Sequence, residues 1–409
     1  MWMPRVVLLV LPVASIREID KIWGGTDGIK RLLRGSSGSL GHLTGTSTHD
    51  LGIFKGTADL QHLRTAVASA LSSPYSIVTF STPAWEIPLD MSEDPPYLHA
   101  FQQLNASFAQ YAATRNSIYL SSNSGKFMHG VETLETDGSA EHAALGFESG
   151  SRVPASEVED NLAAKHLVIQ ASYPGGPAYF GHAIDNVFPR VLSILPGAKL
   201  AGHRVSVVVP QVSREFFSHN TQVLFERMGV QVLEEIPQTP HRMAGVTNVA
   251  SWDRLMRQNT RNIIREELFR GLTPAACADG TAGGDWSNVF LSRRSGTRNG
   301  RAVEGEEVLE EKLQESGFHI LDDPGKWPVD ELARKLYTST CRLVGFAGTA
   351  LLNLVFLPNG AKLVEYNPTG LYADYWEWAH ALNMSYVHAV PSLSISADEA
   401  DRLVQLATA

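Results

Sequence analysis

Short apolar runs alternate with amphipathic segments through the second half of the chain. The runs His166–Ala171 and Arg204–Val209 are rich in β-branched residues and predict buried strands. Helical spacing of apolar residues predicts helices at Gly181–Leu195 and Ser213–Met228, and a further strand follows at Val230–Ile236. Alternation of strand and helix is typical of a parallel sheet that is covered by helices.

The same alternation restarts after a stretch rich in glycine, alanine and aspartate. The predicted order is strand Asn288–Ser292, helix Val303–Ser316, strand Phe318–Asp322, helix Val329–Thr338, strand Arg342–Phe346, helix Thr349–Phe356, strand Lys362–Asn367, helix Tyr375–Leu382 and strand Ser385–Val390. The sequence therefore predicts an α/β fold of two doubly wound, Rossmann-like domains that face a central cleft. The domains are predicted at residues 1–272 and 286–409. The small-residue stretch 273–285 is predicted as their linker, after a polar helix at Asp253–Leu272.

The first third of the chain has a less regular pattern. The apolar run Val6–Val13 favours a buried strand over a signal peptide, because the run is short and no small-residue cleavage site follows. Gly35–Thr48 is mostly small and polar and is predicted as an exposed loop. Strands are predicted at Ser76–Phe80 and Ser117–Leu120. No segment has the roughly 20 apolar residues of a membrane helix, so no membrane span is predicted.

Composition and charge remove some classes of function. The chain has 409 residues, of which 44% are hydrophobic and 19% charged, and its formal net charge is -9. An acidic chain without a basic run argues against a nucleic-acid partner. Cys277 and Cys341 are the two cysteines, too few for a disulfide scaffold or a cysteine metal cluster. Cys341 opens an apolar run, so it is expected to be a small buried hydrophobe.

A candidate ligand site lies where an apolar strand enters the turn Ala347-Gly348-Thr349 and then a helix. Small residues let a ligand approach the backbone, and free N–H groups at a helix start suit a phosphate or diphosphate. Tight packing between strand and helix selects the same residues, so the turn alone does not decide. Asn353 lies one turn further along this helix.

Charged residues follow other strand ends of the same predicted domain. Glu365 lies near the end of its strand, where an acid can accept hydrogen bonds from ribose hydroxyls, although it is equally compatible with a solvated edge. Arg293 and Arg294 directly follow the first strand. Paired arginines there suit a diphosphate, and the alternative is a basic surface loop.

In the first domain the segment GHAIDNVFPR places polar residues at helical spacing. His182, Asp185 and Asn186 share one helix face, which Arg190 continues. A histidine oriented by a carboxylate is a reasonable general base. The same residues also fit a structural cap, and a metal site would need a third ligand that the segment does not supply.

These blocks, in the order GHAIDNVFPR, NVFLSRR and VGFAGTALLNLVFLPNGAKLVEYNP, resemble glycosyltransferase family 61. The resemblance implies a GT-B fold, an inverting reaction, a nucleotide-sugar donor with UDP-sugars favoured, and a glycan or glycoprotein acceptor. It implies catalytic roles for His182 and Asp185. It implies donor binding by Arg190, Arg293, Gly348, Asn353 and Glu365. Arg294, as the neighbour of Arg293, and Thr349, through its hydroxyl, are predicted to bind the donor from their own chemistry. It requires no cofactor, and a divalent metal is compatible with the sequence but not demanded by it.

Two departures from the family pattern bear on activity. Ala347 lies where members usually carry histidine, and Glu331-Leu332-Ala333 replaces a common Glu-Gln pair. Two other functions therefore stay open. One is a non-catalytic protein that binds a nucleotide sugar or a glycan. The other is a hydrolase or phosphoesterase that uses His182 and Asp185, which would need a nucleophile or metal cluster.

Overall fold

The computed structural model describes residues 46–54, 57–81, 115–122, 155–170, 180–208, 219–247, 254–277, 284–294, 303–368 and 373–409. The strand predicted at Val6–Val13 lies outside these residues. So does the glycine- and proline-rich turn before Phe180.

Seven strands form the first sheet, in the order β1-β2-β3-β7-β4-β5-β6. They are β1 (Thr46–Ile53), β2 (Tyr75–Ser81), β3 (Arg115–Ser121), β4 (His166–Gln170), β5 (Arg204–Val208), β6 (Val230–Leu233) and β7 (Arg242–Thr247). The predicted parallel pairing is confirmed for β4, β5 and β6, whereas β3, whose direction was not predicted, runs antiparallel to both β2 and β7. Alternation of apolar residues marks a strand but does not encode its direction. Likewise, β1 begins inside the loop predicted to extend to Thr48.

Five parallel strands form the second sheet, in the order β12-β11-β10-β8-β9. They are β8 (Asn288–Ser292), β9 (His319–Asp322), β10 (Arg342–Phe346), β11 (Lys362–Tyr366) and β12 (Ser385–Ala389). The chain adds strands first on one side of β8 and then on the other, so the strand order reverses between β8 and β10. The α/β class and the strands of this sheet are confirmed. The division into domains stays a prediction.

Helices connect and cover the strands. They are α1 (Thr57–Ala70), α2 (Ala155–Ala163), α3 (Phe180–His182), α4 (Phe188–Leu200), α5 (His219–Arg227), α6 (Arg254–Leu268), α7 (Glu306–Glu315), α8 (Val329–Ser339), α9 (Ala373–Ala381) and α10 (Ala397–Thr408). A π-helical turn, Ala183–Val187, joins α3 to α4. Thr349–Phe356 is helical as predicted, but of the 3₁₀ type. Within the described part of the chain, no helix combines the length and apolarity needed to span a membrane.

One apolar core contains residues of both sheets. It joins Leu167 and Ile169 of β4 to Leu343 of β10 and Leu363 of β11, through residues of α4, α6 and the 3₁₀ helix. The opposite face of the second sheet has its own core against α7 and α10. Helices from the first half of the chain therefore pack against α9 and the 3₁₀ helix, which lie on one face of the second sheet.

Cys277 and Cys341 form a disulfide, with their Cα atoms 5.2 Å apart. The expectation that Cys341 is merely a small buried hydrophobe is therefore wrong, although the residue is buried. Spacing along the sequence gave no sign of the pairing, because the two residues are 64 positions apart. The disulfide attaches the predicted linker to the residue that precedes β10.

Reduction of this disulfide should destabilise the protein by about 2–4 kcal/mol, because the bond closes a long loop in the unfolded chain. Urea unfolding with and without a reductant measures the change. The matched control is the double variant Cys277→Ser/Cys341→Ser, whose unfolding midpoint should not respond to the reductant. An equal shift of the unfolding midpoint by the reductant in the wild type and the double variant would contradict the disulfide between Cys277 and Cys341.

Two buried histidines make stability depend on pH. Burial, with Arg204 nearby, lowers the pKa of His166 to about 4. Burial, with Lys165 nearby, lowers the pKa of His203 to about 4. Arg204 Nη2 donates to His166 Nδ1 at 3.1 Å, because a guanidinium cannot accept, and His166 Nε2 lies 2.8 Å from Ser206 Oγ. The ring is therefore neutral in the folded protein.

Stability should be full above a pH of about 6.5, the pKa in the unfolded chain, and should fall as the pH drops towards 4. The unfolded chain binds protons in this window that the folded chain does not, so the slope is up to about 1.4 kcal/mol per pH unit for each histidine. Unfolding free energies measured between pH 7 and 5 test this. His166→Gln should flatten the slope, whereas His62→Gln, at an exposed position, should leave it unchanged. A slope unaffected by His166→Gln would contradict the assignment.

Candidate functional site

The carboxyl ends of β8 and β10 lie side by side at the reversal of strand order. Leu291 of β8 pairs with Gly345 of β10. Helix α7, which follows β8, packs on one face of the second sheet. The 3₁₀ helix, which follows β10, packs on the opposite face, in the core that also contains residues of the first sheet. The elements that follow the two strands therefore lie on opposite faces of the second sheet, the arrangement that produces a crevice at the strand-order reversal of open α/β sheets. In open α/β sheets, ligands bind in the crevice at this point of the strand order.

Arg293 reaches across the crevice from the end of β8 to the turn after β10. Its Nη2 donates to the carbonyl oxygen of Ala347. A Cβ atom on Gly348 would lie 1.6 Å from the same Nη2. The φ of Gly348 is 164°, which any residue adopts. A side chain at 348 would therefore displace the guanidinium that lies against it, so glycine at this position lets Arg293 stay in place. The structure thus brings Arg293 and Gly348 together, and their role in donor binding stays a prediction.

Glu306 holds the backbone of Arg293 in place from the side of α7. Its Oε1 accepts a hydrogen bond from the Arg293 N–H at 2.7 Å. Burial raises the pKa of Glu306. The sequence analysis did not single out Glu306, since an acidic residue in the first turn of a helix is commonplace.

Thr349 opens the 3₁₀ helix and is exposed at the edge of the crevice. The helix start therefore directly follows the Ala347–Gly348 turn that Arg293 contacts. Asn353 lies deeper in the same helix, where its Nδ2 donates to the carbonyl of Ala350 at 2.7 Å. Its amide stabilises the helix, and its predicted role in donor binding stays a prediction.

The helix that carries the His182 block abuts this turn directly. A Cβ atom on Gly181 would lie 2.9 Å from Cβ of Thr349 and 3.0 Å from its Cα. The glycine before His182 thus lets the backbones of α3 and the 3₁₀ helix approach closely. The structure brings the two blocks together from opposite halves of the chain. The side chains of His182 and Asn186 lie outside the described residues.

Asp185 lies in the π-helical turn and is buried at 6% exposure. Its Oδ1 accepts a hydrogen bond from Trp378 Nε1 at 2.7 Å and one from Arg257 Nη2 at 3.2 Å. Arg257 and Trp378 were missed in the sequence. They lie 72 and 193 positions from Asp185, and no local pattern encodes such contacts.

The remaining predicted site residues have partners of their own. Arg190 is buried in α4. Arg294 forms an ion pair with Glu310 at 2.9 Å, although more than half of its side chain is exposed. It can therefore exchange this partner for an anion at modest cost, since exposed ion pairs are weak.

Glu365 is fully buried on the face of the second sheet that packs against the first-half helices. Its Oε2 accepts a hydrogen bond from the Tyr386 hydroxyl at 2.6 Å, and its Oε1 accepts one from Asn367 Nδ2 at 3.2 Å. Burial, together with the adjacent Glu365, raises the pKa of Tyr386 well above its usual value. The hydroxyl therefore stays protonated and donates to Glu365. The predicted contact of Glu365 with a ribose stays a prediction.

The described residues contain no group of three histidine, cysteine, aspartate or glutamate side chains placed to hold a metal ion. The site that they do define is a crevice with an arginine, a glycine turn and a helix start, which suits a phosphorylated ligand.

Residues 180–364 match the family described as Glycosyltransferase 61. The matched segment contains the His182 block, Arg293 and the Gly348 turn, and the match supports membership of glycosyltransferase family 61. Members of this family act between a sugar donor and an acceptor, so the match supports a glycosyltransferase.

No curated protein matches the chain. Solved structures that match include a mutant flavo di-iron protein from Thermotoga maritima. It is 12% identical, with 72% of this chain and 89% of that chain covered, and the TM-score is 0.24. A likeness at this level carries no argument about fold or function.

Proposed function

We propose that this protein is an inverting glycosyltransferase that moves a sugar from a nucleotide-diphosphate donor, with UDP-sugars favoured, to a hydroxyl of a glycan or protein. The proposal includes a GT-B arrangement in which residues 286–409 bind the donor and residues 1–272 the acceptor. One observation carries it above all. Arg293 lies against the Ala347–Gly348 turn at the strand-order reversal, and the helix bearing His182 abuts the next residue, Thr349.

The reaction is a direct displacement. The acceptor oxygen forms a bond to the anomeric carbon while the bond from that carbon to the diphosphate oxygen breaks. His182, or alternatively Asp185, takes the proton of the acceptor hydroxyl. Arg293, Arg294 and the N–H groups at the start of the 3₁₀ helix stabilise the negative charge that develops on the departing diphosphate. Donors fixed in advance are the largest contribution in many enzymes.

The resemblance to family 61 supports inversion of configuration at the anomeric carbon and a UDP-sugar as the donor. The same resemblance adds three residues to the proposed donor site: Arg190, Asn353 and Glu365. Each has protein contacts or burial that would fix its position before the donor arrives.

A thermal-shift screen with UDP, GDP and CMP tests donor binding. A ligand at a hundred times its Kd should stabilise the fold by about 2.7 kcal/mol. We expect UDP to stabilise most. No stabilisation by any of the three nucleotides would contradict the proposal.

The second candidate is a non-catalytic binder of nucleotide sugars, which is favoured by Ala347 at the position where family members carry histidine. Release of UDP from UDP-sugars, in the presence of a mixed glycan and glycopeptide panel, separates the two functions. Turnover with an inverted anomeric configuration by NMR supports the transferase. Nucleotide binding without turnover on any acceptor supports the binder.

A further inference from the structure

A buried cluster of charged residues connects the π-helical turn to α6 and to α9. Arg257 of α6 is fully buried, and its Nη2 donates to Asp185 at 3.2 Å. Its Nη1 lies 2.8 Å from Glu377 Oε2 of α9. The guanidinium carbon lies 5.1 Å from the ring centroid of Trp378, whose Nε1 also donates to Asp185. We call these four residues the Arg257 cluster.

Burial of a guanidinium is costly unless carboxylates and hydrogen bonds compensate it. Here the fork of Arg257 contacts one carboxylate from each half of the chain, and its guanidinium carbon lies over the Trp378 indole in a cation–π contact. Removing one partner would leave a buried charge without compensation. The cluster therefore fixes the π-helical turn at one position relative to α9 and the second sheet.

The contacts of Asp185 also decide between the two candidate bases. Its Oδ1 accepts both hydrogen bonds, and the residue is buried at 6% exposure. A general base must reach the acceptor hydroxyl, whereas this carboxylate is directed at α6 and α9. His182, three residues earlier, immediately follows the glycine that abuts Thr349.

We propose that Arg257 is a positioning residue for sugar transfer. Through Asp185 and Trp378 it holds the π-helical turn, and thereby His182, opposite the Gly348–Thr349 turn. Asp185 is then a positioning residue as well. The proposal rests on the proposed function, since it assigns the residue that places the base of that reaction.

Arg261 offers a matched control on the same helix face, one turn from Arg257. It is buried, and its Nη1 and Nη2 donate to the carbonyls of Leu382 and Leu357 at 2.8 and 2.6 Å. Like Arg257, it fastens α6 to the second half of the chain. Unlike that of Arg257, its guanidinium donates to these backbone carbonyls and not to Asp185, so its loss should cost stability without displacing His182.

The test compares Arg257→Lys with Arg261→Lys. Lysine keeps the charge but cannot bridge two carboxylates as the planar fork does. Arg257→Lys should lower kcat by about 10-fold or more, with the KM for the donor and the Kd for UDP within about threefold of wild type. Arg261→Lys should leave kcat within about threefold, at a similar loss of melting temperature.

Trp378→Phe keeps the ring and removes the N–H that donates to Asp185, so it serves if Arg257→Lys does not fold. It should also lower kcat with UDP affinity retained. Wild-type kcat in both Arg257→Lys and Trp378→Phe, or an equal fall in Arg261→Lys, would overturn the positioning role and leave the proposed function intact. A wild-type protein that binds no nucleotide or transfers no sugar would overturn both.

Discussion

Gly348→Ala should lower sugar transfer by about 100- to 1000-fold, the range seen when one preorganised donor is lost. The added Cβ would occupy the position of Arg293 Nη2, which lies 1.6 Å away. The guanidinium must therefore leave the turn, and the diphosphate loses its nearest fixed cation. Steady-state kinetics with the donor identified by the thermal-shift screen measure the effect.

Two comparisons isolate the cause. Gly317→Ala adds a Cβ in open space at a φ of 84°, so it should cost about 1 kcal/mol of stability and leave transfer unchanged. In an Arg293→Ala background, Gly348→Ala should have little further effect, because the group it displaces is already absent. Additive losses in the double variant would show that Gly348 acts independently of Arg293.

His182→Ala should lower kcat by about 100- to 10,000-fold, the contribution of a well-placed general base. Affinity for UDP should not change, because the proposed role of His182 is to take a proton from the acceptor and not to bind the donor. Kinetics and calorimetric titration of UDP give the two quantities separately. His62→Ala, at an exposed position of α1, should alter neither. Normal turnover in His182→Ala would remove His182 from the role of base.

The second sheet could be predicted closely because its strands are short apolar runs bounded by turns. β8 and β10 have the predicted bounds, Asn288–Ser292 and Arg342–Phe346. Once their order along the chain was known, the carboxyl ends of parallel strands had to share one edge of a sheet. That is why Arg293 and Gly348 could be placed together from sequence.

Elements with mixed composition were missed. β7 (Arg242–Thr247) lies inside the first sheet, yet it begins with an arginine whose buried guanidinium donates to the carbonyl oxygens of Leu71 and Ser73. The apolar pattern disfavours a strand there, and only the tertiary contacts explain it. Helix α10 was also not predicted, although the sequence contains its N-cap. Ser396 Oγ accepts a hydrogen bond from the Glu399 N–H at 3.2 Å at the start of the helix.

The residue types of the candidate site could be predicted from the sequence, but the protein groups to which those residues hydrogen-bond could not. Asp185 and Glu365 both have the chemistry expected of a base and a ribose ligand. Their carboxylates instead accept hydrogen bonds from Trp378 and Tyr386. Such partners lie far along the chain, so a motif cannot distinguish a residue that touches substrate from one that holds its neighbour.

Amide hydrogen exchange tests most directly whether the crevice between β8 and β10 binds the donor nucleotide. The protein is compared with and without a saturating concentration of the nucleotide found by the thermal-shift screen. We predict slowed exchange in peptides covering Asn288–Arg294 and Phe346–Asn353, and no change in β1 or β2. Slowed exchange confined to the first sheet, or none in either segment at saturation, would contradict a donor site at Arg293 and Gly348.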